Sequence, residues 1–327
     1  MFLETSPSSF SLFLNTHFVL ITFLSLGLGT RDQVLFFLIC SISSFIALTQ
    51  LLNAVEKMPL AKWGHNRDST VRLIIEAERR VYADRATHLG DPDFYNVPQN
   101  HLLAKAYQQK RMLSMDWDKA TPSTEIKAGV FIGKESEETT HYSIADKEGN
   151  AVAVTTTLNN SYGSLVFVKG AGFLLNNEMD DFSIKPGTPN SYGLIGGEAN
   201  AIAPNKRMLS SMTPTIIEKN GELFMVVGTP GGSTIITSVF QTILNVIEFD
   251  QNIQEAVTSK RYHHQWLPDE VYIEPNTFSE ETLAILKKKG YKVIERPFIG
   301  LVDAVLVTPK GYQGGADPRG NDTTAGW

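Results

Sequence analysis

The stretch "ESEETTHYSIADKEGNAVAVTTTLNNSYG", Glu135–Gly163, decides how the chain is read. An acidic run meets Thr139, Thr140 and His141. "THYSIAD" and "AVAVTTT" have strand composition and flank the turn "KEGN", which predicts a hairpin. A threonine hydroxyl is a weak nucleophile unless a base lies beside it. One way to supply the base is to make the threonine the first residue of a chain, so that its own α-amine takes the proton. That requires cutting the bond before it. Glu138–Thr139 lies where a polar, acidic linker meets a strand, and a cut there leaves the sheet intact. On its own, Thr-Thr at a strand start is ordinary β propensity.

Downstream, "TPTIIE" and "LFMVVG" flank "KNGE" and predict a second hairpin with Asn220–Gly221 at its tip. "GTPGGSTIITSVFQTILNVIEF" runs from a Gly-rich turn into a helix with Ile236, Phe240, Ile243 and Ile247 on one face. Ser279 caps a further helix, with Phe278 and Leu283 as a hydrophobic staple and Gly290 as its stop. "YKVIER" and "LVDAVLVTP" read as closing strands. Ser183–Met208 is rich in Gly, Pro and Asn and reads as a long surface loop, either a functional lid or a disordered segment.

Upstream, Ser69–Ala86 places Val71, Ile74, Ile75 and Tyr82 on one helical stripe that Glu78 interrupts. Ser69 is the expected cap and Gly90 the expected stop. Asn100–Met112 reads as one helix, and Trp117–Glu138 as a linker. The first fifty residues differ in kind. Residues 5–30 and Val34–Leu52 are uncharged runs, each long enough to cross a ~30 Å hydrocarbon layer as a helix. They are expected to form a membrane anchor or an unrelated leader with no folded role; core helices are a further reading. Three regions result: a leader at 1–50, a helical region at 51–138 and a catalytic region at 139–327.

Hydrophobic content of 42% and charged content of 20% suit a globular core, and a net charge of −6 carries no nucleic-acid footprint. Cys40 is the only cysteine, so neither an intramolecular disulfide nor a cysteine-rich zinc site forms. His263 and His264 are adjacent and point different ways, which suits packing or capping better than a metal. His141 shares a strand face with Thr139 and is geometrically admissible as a base. Neither a G-x-S-x-G elbow nor a G-x-x-x-x-G-K phosphate loop occurs.

Four ordered blocks, "TTHYSIADKEGNAVAVTTTLNNSYGS", "GFLLNNEMDDFS", "APNKRMLSSMTPTI" and "GTPGGSTIITSVFQ", resemble the γ-glutamyltransferases (glutathione hydrolases), which are N-terminal-nucleophile hydrolases. "LGDPDF", "YHHQWLPDEV" and "ADPRGND" extend the resemblance over about Leu51–Trp327. It implies an α+β fold, a four-layer αββα sandwich incomplete at the N-terminus, with large and small subunits made from one precursor by self-cleavage. By motif, Thr139 resembles the nucleophile and Thr157 the residue that holds it. Gly231 and Gly232 resemble the oxyanion donors, a role that glycines before a helix also suit physically. Asn159, Glu178 and Asp181 match contacts to the donor's α-ammonium, and Ser210 and Ser211 contacts to its α-carboxylate. The implied partners are glutathione and other γ-glutamyl compounds, with water, amino acids or dipeptides as acceptors. No cofactor or metal is implied. A periplasmic, secreted or membrane-anchored location is expected.

The chain departs from the family in lacking the long region before Leu51, including an arginine that grips the donor carboxylate. Arg207 and Arg319 lie in other motifs and are not evident substitutes. The alternative reading is therefore a truncated, inactive, membrane-anchored relative with a binding or structural role.

Overall fold

The computed structural model describes residues 24–26, 34–38, 42–126, 139–183 and 197–326. Its helices are α1 (Ile42–Val55), α2 (Leu60–Trp63), α3 (Asp68–His88), α4 (Gln99–Leu102), α5 (Lys105–Met112), α6 (Thr234–Ile247), α7 (Ile253–Thr258) and α8 (Glu280–Lys288). Its strands are β1 (Leu24–Leu26), β2 (Val34–Leu38), β3 (Thr139–Ala145), β4 (Ala151–Thr157), β5 (Phe167–Val168), β6 (Phe173–Leu174), β7 (Thr215–Lys219), β8 (Glu222–Gly228), β9 (Tyr262–His263), β10 (Val271–Ile273), β11 (Val293–Glu295), β12 (Asp303–Thr308) and β13 (Gly311–Gly315).

Six strands form an antiparallel sheet in the order β1-β2-β7-β8-β12-β13. Alternation along β8 divides its two faces. Met225 and Val227 join Ile217, Ala304 and Leu306 in a core shared with α1, α3 and α6. Gly228, the last residue of β8, points to the other face toward the β3–β4 hairpin, whose His141 ring lies against it. The layers run helices, six-stranded sheet, hairpin, which is the α+β order expected for the first three layers of the sandwich. Both predicted hairpins are present. Asp146 caps the first turn by accepting from the N–H groups of Glu148 (3.0 Å) and Asn150 (2.9 Å). Asn220 and Gly221 supply the left-handed pair (φ 56° and 85°) that a tight two-residue turn requires.

Several expectations are corrected. Val34–Leu52 is no single helix: β2 pairs with β7, and α1 is a separate helix whose Phe45, Ile46, Leu48 and Leu51 are core residues. Among the described residues no helix is long and apolar enough to cross a membrane. Apart from Leu24–Leu26, a strand, the first uncharged run lies outside the described residues. Asn100–Met112 is broken at Leu103–Ala104 into α4 and α5. Arg67, not Ser69, precedes α3, which ends before Gly90. Glu78 is fully buried on its apolar stripe and accepts from the His264 N–H (2.8 Å). Residues 117–126 are anchored rather than free: the buried Ser123 donates to the Trp266 carbonyl and receives Arg79 Nη1 (2.6 Å). Residues 127–138 of the expected linker and 184–196 of the expected loop lie outside the described residues. The rest of that loop is pinned. Gly90 backs so closely onto Ala199 that a Cβ would meet its carbonyl oxygen at 2.0 Å, and Asp91 accepts from the Arg207 N–H (2.9 Å) and Nε (3.0 Å).

Candidate active site

Thr139 opens β3 and Thr157 closes β4, and the register sets them directly opposite each other. Thr139 Oγ1 donates to Thr157 Oγ1 at 3.3 Å, and the Asn159 N–H donates to the same Thr157 oxygen at 2.9 Å. The second hydroxyl is thereby oriented as an acceptor for the first. Asn159 takes a left-handed conformation (φ 73°), which asparagine tolerates better than most residues and which turns the chain away from the strand. His141, two residues along the same face, is not aimed at Thr139. Its Nδ1 contacts Thr155 Oγ1 (2.8 Å) and its Nε2 contacts Ser143 Oγ (3.0 Å). Burial drives its pKa down to about 4, so the ring is neutral and serves to seat the hairpin.

Asn177, which carries no sequence-derived role, clasps the next segment. Its N–H donates to the Leu158 carbonyl (3.1 Å), its Oδ1 receives the Asn160 N–H (3.0 Å), and its carbonyl receives Asn159 Nδ2 (3.2 Å). Asn177 also precedes the single 3₁₀ turn Glu178–Asp181, so the two predicted ammonium-binding stretches are tied together. Burial raises the Glu178 carboxyl above its ordinary value, and among the described residues no cation pairs with it.

A second missed residue, Asn200, continues the connection. It is buried; its Nδ2 donates to the Asp181 carbonyl (2.7 Å) and its Oδ1 receives the Leu209 N–H (2.9 Å), one residue before Ser210. The Ser210–Ser211 turn is held from the helical layer. Ser44 of α1 donates to the Ser210 carbonyl (2.7 Å), and Arg85 Nη2 of α3 donates to Ser211 Oγ (2.7 Å). The only available signal for Arg85 was its place on the stripe that already carries Tyr82 and Glu78.

Gly231 and Gly232 follow β8 and precede α6. Thr215, four residues after Ser211, pairs with Val227, so the serine turn and the glycine turn share one end of the sheet. His141 on Gly228 brings the Thr139 end of the hairpin to that same end. Gly231 and Gly232 have φ of 134° and 55°. Gly231 could not hold a side chain in place, since a Cβ would lie 2.6 Å from Thr234 Oγ1 and 3.3 Å from Gly300 Cα. Among the described residues neither glycine gives its N–H to a protein acceptor, while the Gly231 carbonyl receives the Thr234 N–H (3.0 Å). Free N–H groups beside the start of a 14-residue helix are suited to developing negative charge.

The remaining motifs support this turn. Asp317 accepts from Arg261 Nη2 (2.5 Å) and the Val302 N–H (2.8 Å), and Arg261 Nε donates to the Ile299 carbonyl (2.6 Å). Together they fix the loop on which Gly231 rests. Arg319 is committed to Glu274 (2.5 Å) and Asp317 (2.9 Å), and Arg207 to Asp91. His263 and His264 are buried and neutral, with burial lowering their pKa values to about 3 and about 4. His263 meets Thr237 and Gln265, and His264 meets Asp269 and the Trp266 N–H. No metal-competent group of three His, Cys, Asp or Glu occurs among the described residues.

Comparison with known proteins places the chain among its relatives. The gamma-glutamyltranspeptidase family model matches residues 32–327, so the match begins well before the expected boundary near Leu51 and includes β2 and α1. The glutathione hydrolase proenzyme of Escherichia coli K12 is 48% identical over 287 residues, 87% of this chain and 49% of that protein. The chain spans about half the length of the curated relatives it matches. The gamma-glutamyltranspeptidase structure from Helicobacter pylori is 58% identical, covers 55% of this chain and 100% of its own, and gives a TM-score of 0.54. The cephalosporin acylase from Bacillus halodurans, at 22% identity and a TM-score of 0.77 over 94% of this chain and 53% of its own, shares the fold. On the family match and the extent of identity, the chain belongs to the gamma-glutamyltranspeptidase family.

Proposed function

We propose that this chain carries the catalytic half of a self-processing enzyme that transfers or hydrolyses γ-glutamyl groups. The observation that carries the reading is the hydroxyl pair Thr139–Thr157, held by the Asn159 N–H at the open end of the β3–β4 hairpin. In maturation, Thr139 Oγ1 attacks the Glu138 carbonyl carbon and the peptide C–N bond breaks. An ester on Thr139 and a free α-amine result. Water opens the ester and leaves the Glu138 carboxylate. The new amine then acts as the base for its own hydroxyl, with Thr157 holding both in place.

In turnover, Oγ1 attacks the γ-carbonyl of glutathione or a related amide. Gly231 and Gly232 donate N–H groups to the oxyanion, worth about 10²–10³-fold in rate per donor. The departing amine leaves with a proton, and a γ-glutamyl ester remains on Thr139. Water then releases glutamate, or an amino acid or dipeptide takes the γ-glutamyl group. Asn159, Glu178 and Asp181 receive the donor's α-ammonium. Glu178 suits this role because an arriving cation relieves the penalty that burial places on its carboxylate. Ser210 and Ser211 donate to the α-carboxylate.

Acid-quenching the chain during turnover of a γ-glutamyl anilide and mapping the adduct by mass spectrometry tests the proposal. A γ-glutamyl increment on the peptide that begins at Thr139 is expected. Turnover with the increment on another residue, or an uncut chain with no turnover, would contradict it.

A further inference from the structure

Arg85 poses a physical problem that the proposed catalytic roles leave unsolved. It is only 4% exposed, on the face of α3 that packs under the site. A buried guanidinium normally has a carboxylate partner, because leaving it unpaired is costly. Among the described residues none is within ion-pair reach of Arg85. Its Nε is buried without an acceptor, and Nη2 has a single one, Ser211 Oγ at 2.7 Å. Tyr82, one helical turn earlier, contributes its ring face 6.0 Å from the guanidinium carbon, and its hydroxyl donates to the carbonyl of Ser233, next to Gly232. One helical face therefore touches both the serine turn and the glycine turn, with a positive charge between them that no described carboxylate offsets.

The direction of the Arg85–Ser211 hydrogen bond has a consequence. The guanidinium has no lone pair to offer, so Ser211 Oγ accepts there and its own proton points elsewhere. A serine held in this way is a preset donor with a cation behind it, which is an arrangement for an anion.

We propose that Arg85 is a positioning residue that makes Ser211 selective for a donor bearing a free α-carboxylate. The proposal rests on the γ-glutamyl reading above. The carboxylate that Arg85 lacks among the described residues arrives with the donor, and Arg85 transmits its effect through Ser211 without touching the reacting atoms.

The test compares γ-glutamyl-p-nitroanilide with its α-carboxamide counterpart in the full chain and in R85Q, R85K and S211A. R85Q is expected to mature at Thr139 and to raise KM for the α-carboxylate donor about 10- to 100-fold, as loss of a charge-assisted hydrogen bond implies. Its kcat should change less than about threefold, and KM for the α-carboxamide donor should rise much less than KM for the α-carboxylate donor. R85K should recover part of the discrimination, and adding R85Q or R85K to S211A should lower it no further. If R85Q fails to mature, R85K decides: reduced discrimination supports the proposal, and wild-type discrimination overturns it. A uniform loss of kcat on both donors would assign Arg85 a purely structural role and overturn the proposal. Failure of the unmutated chain to turn over either donor would overturn the γ-glutamyl reading itself. Turnover with discrimination unchanged in every Arg85 variant would overturn this inference alone.

Discussion

Replacing Gly228 by alanine tests how the hairpin that carries Thr139 is seated. A Cβ at this position would lie 2.2 Å from Cε1, 2.4 Å from Nδ1 and 2.7 Å from Nε2 of His141, whereas unstrained contacts begin near about 3.5 Å. The ring cannot turn aside without surrendering Thr155 and Ser143, its partners at 2.8 and 3.0 Å. Nor can β8 retreat, because β7 and β12 hold it on both sides. The hairpin must therefore lift by about 1 Å, and Thr139 and Thr157 lie only one same-face step from the point of contact. Overpacking of this kind costs about 1–3 kcal/mol, or about 1.5–4.5 °C in Tm for a chain of 327 residues unfolding with about 2.1 cal/mol/K per residue. A displacement of about 1 Å at the reacting group costs on the order of 10²-fold in rate. We expect Gly228→Ala to lower Tm within that range and to slow the appearance of the Thr139 terminus at least about tenfold. Adding His141→Ala lets the new methyl occupy part of the vacated ring volume, so the double variant should be less destabilised than the sum of the singles by about 1–3 kcal/mol. Thermal melts and a gel time course read both. A Gly228→Ala chain that melts and matures like the parent would refute the seating argument.

Acid should weaken the fold over a defined window. The folded state keeps His141, His263 and His264 neutral, with pKa values near 4, 3 and 4, while the unfolded chain takes up protons near 6.5. Stability from these groups is therefore complete above pH 6.5 and is lost as pH falls toward 4, at up to about 1.4 kcal/mol per pH unit for each ring. Urea melts from pH 7 to 4.5 should show the decline, with a shallower slope in His141→Gln; parallel slopes would contradict the assignment. Asn200→Ala strands the Asp181 carbonyl and the Leu209 N–H and should cost about 2–4 kcal/mol. It should also raise the donor KM more than it lowers kcat, and a variant with parental stability and KM would show that the two binding segments are not held through Asn200.

Legibility from the sequence followed locality. The β3–β4 and β7–β8 hairpins, α6 and α8 were readable because turn residues, periodicity and caps are local signals. Thr139 and Thr157 lie opposite each other because "KEGN" sets the register, so an 18-residue separation in sequence becomes a hydrogen bond. The hydrophobic segment 34–52 was misread because a short apolar strand followed by a core helix carries the same uniform apolarity as a membrane span. Only pairing with β7 and packing on α3 distinguish them. Asn177, Asn200 and Arg85 were missed for a different reason. Each acts through partners 17 to 126 residues away or through backbone groups, as in Asn177 to Asn160 and Arg85 to Ser211, and no spacing rule reports those contacts. Glu78 and Arg85 did leave a trace as charges on an apolar stripe, and both prove buried, Glu78 against the His264 N–H and Arg85 against Ser211.

The central claim is that Thr139 Oγ1 cuts the chain before itself and then serves as the enzyme's nucleophile. Intact-mass measurement of freshly purified chain and of Thr139→Ala, before and after incubation, tests it most directly. The account predicts that the parent resolves into two pieces, the second beginning at Thr139, and that the alanine variant stays whole. A Thr139→Ala chain that divides at the same bond and at the same rate would contradict it.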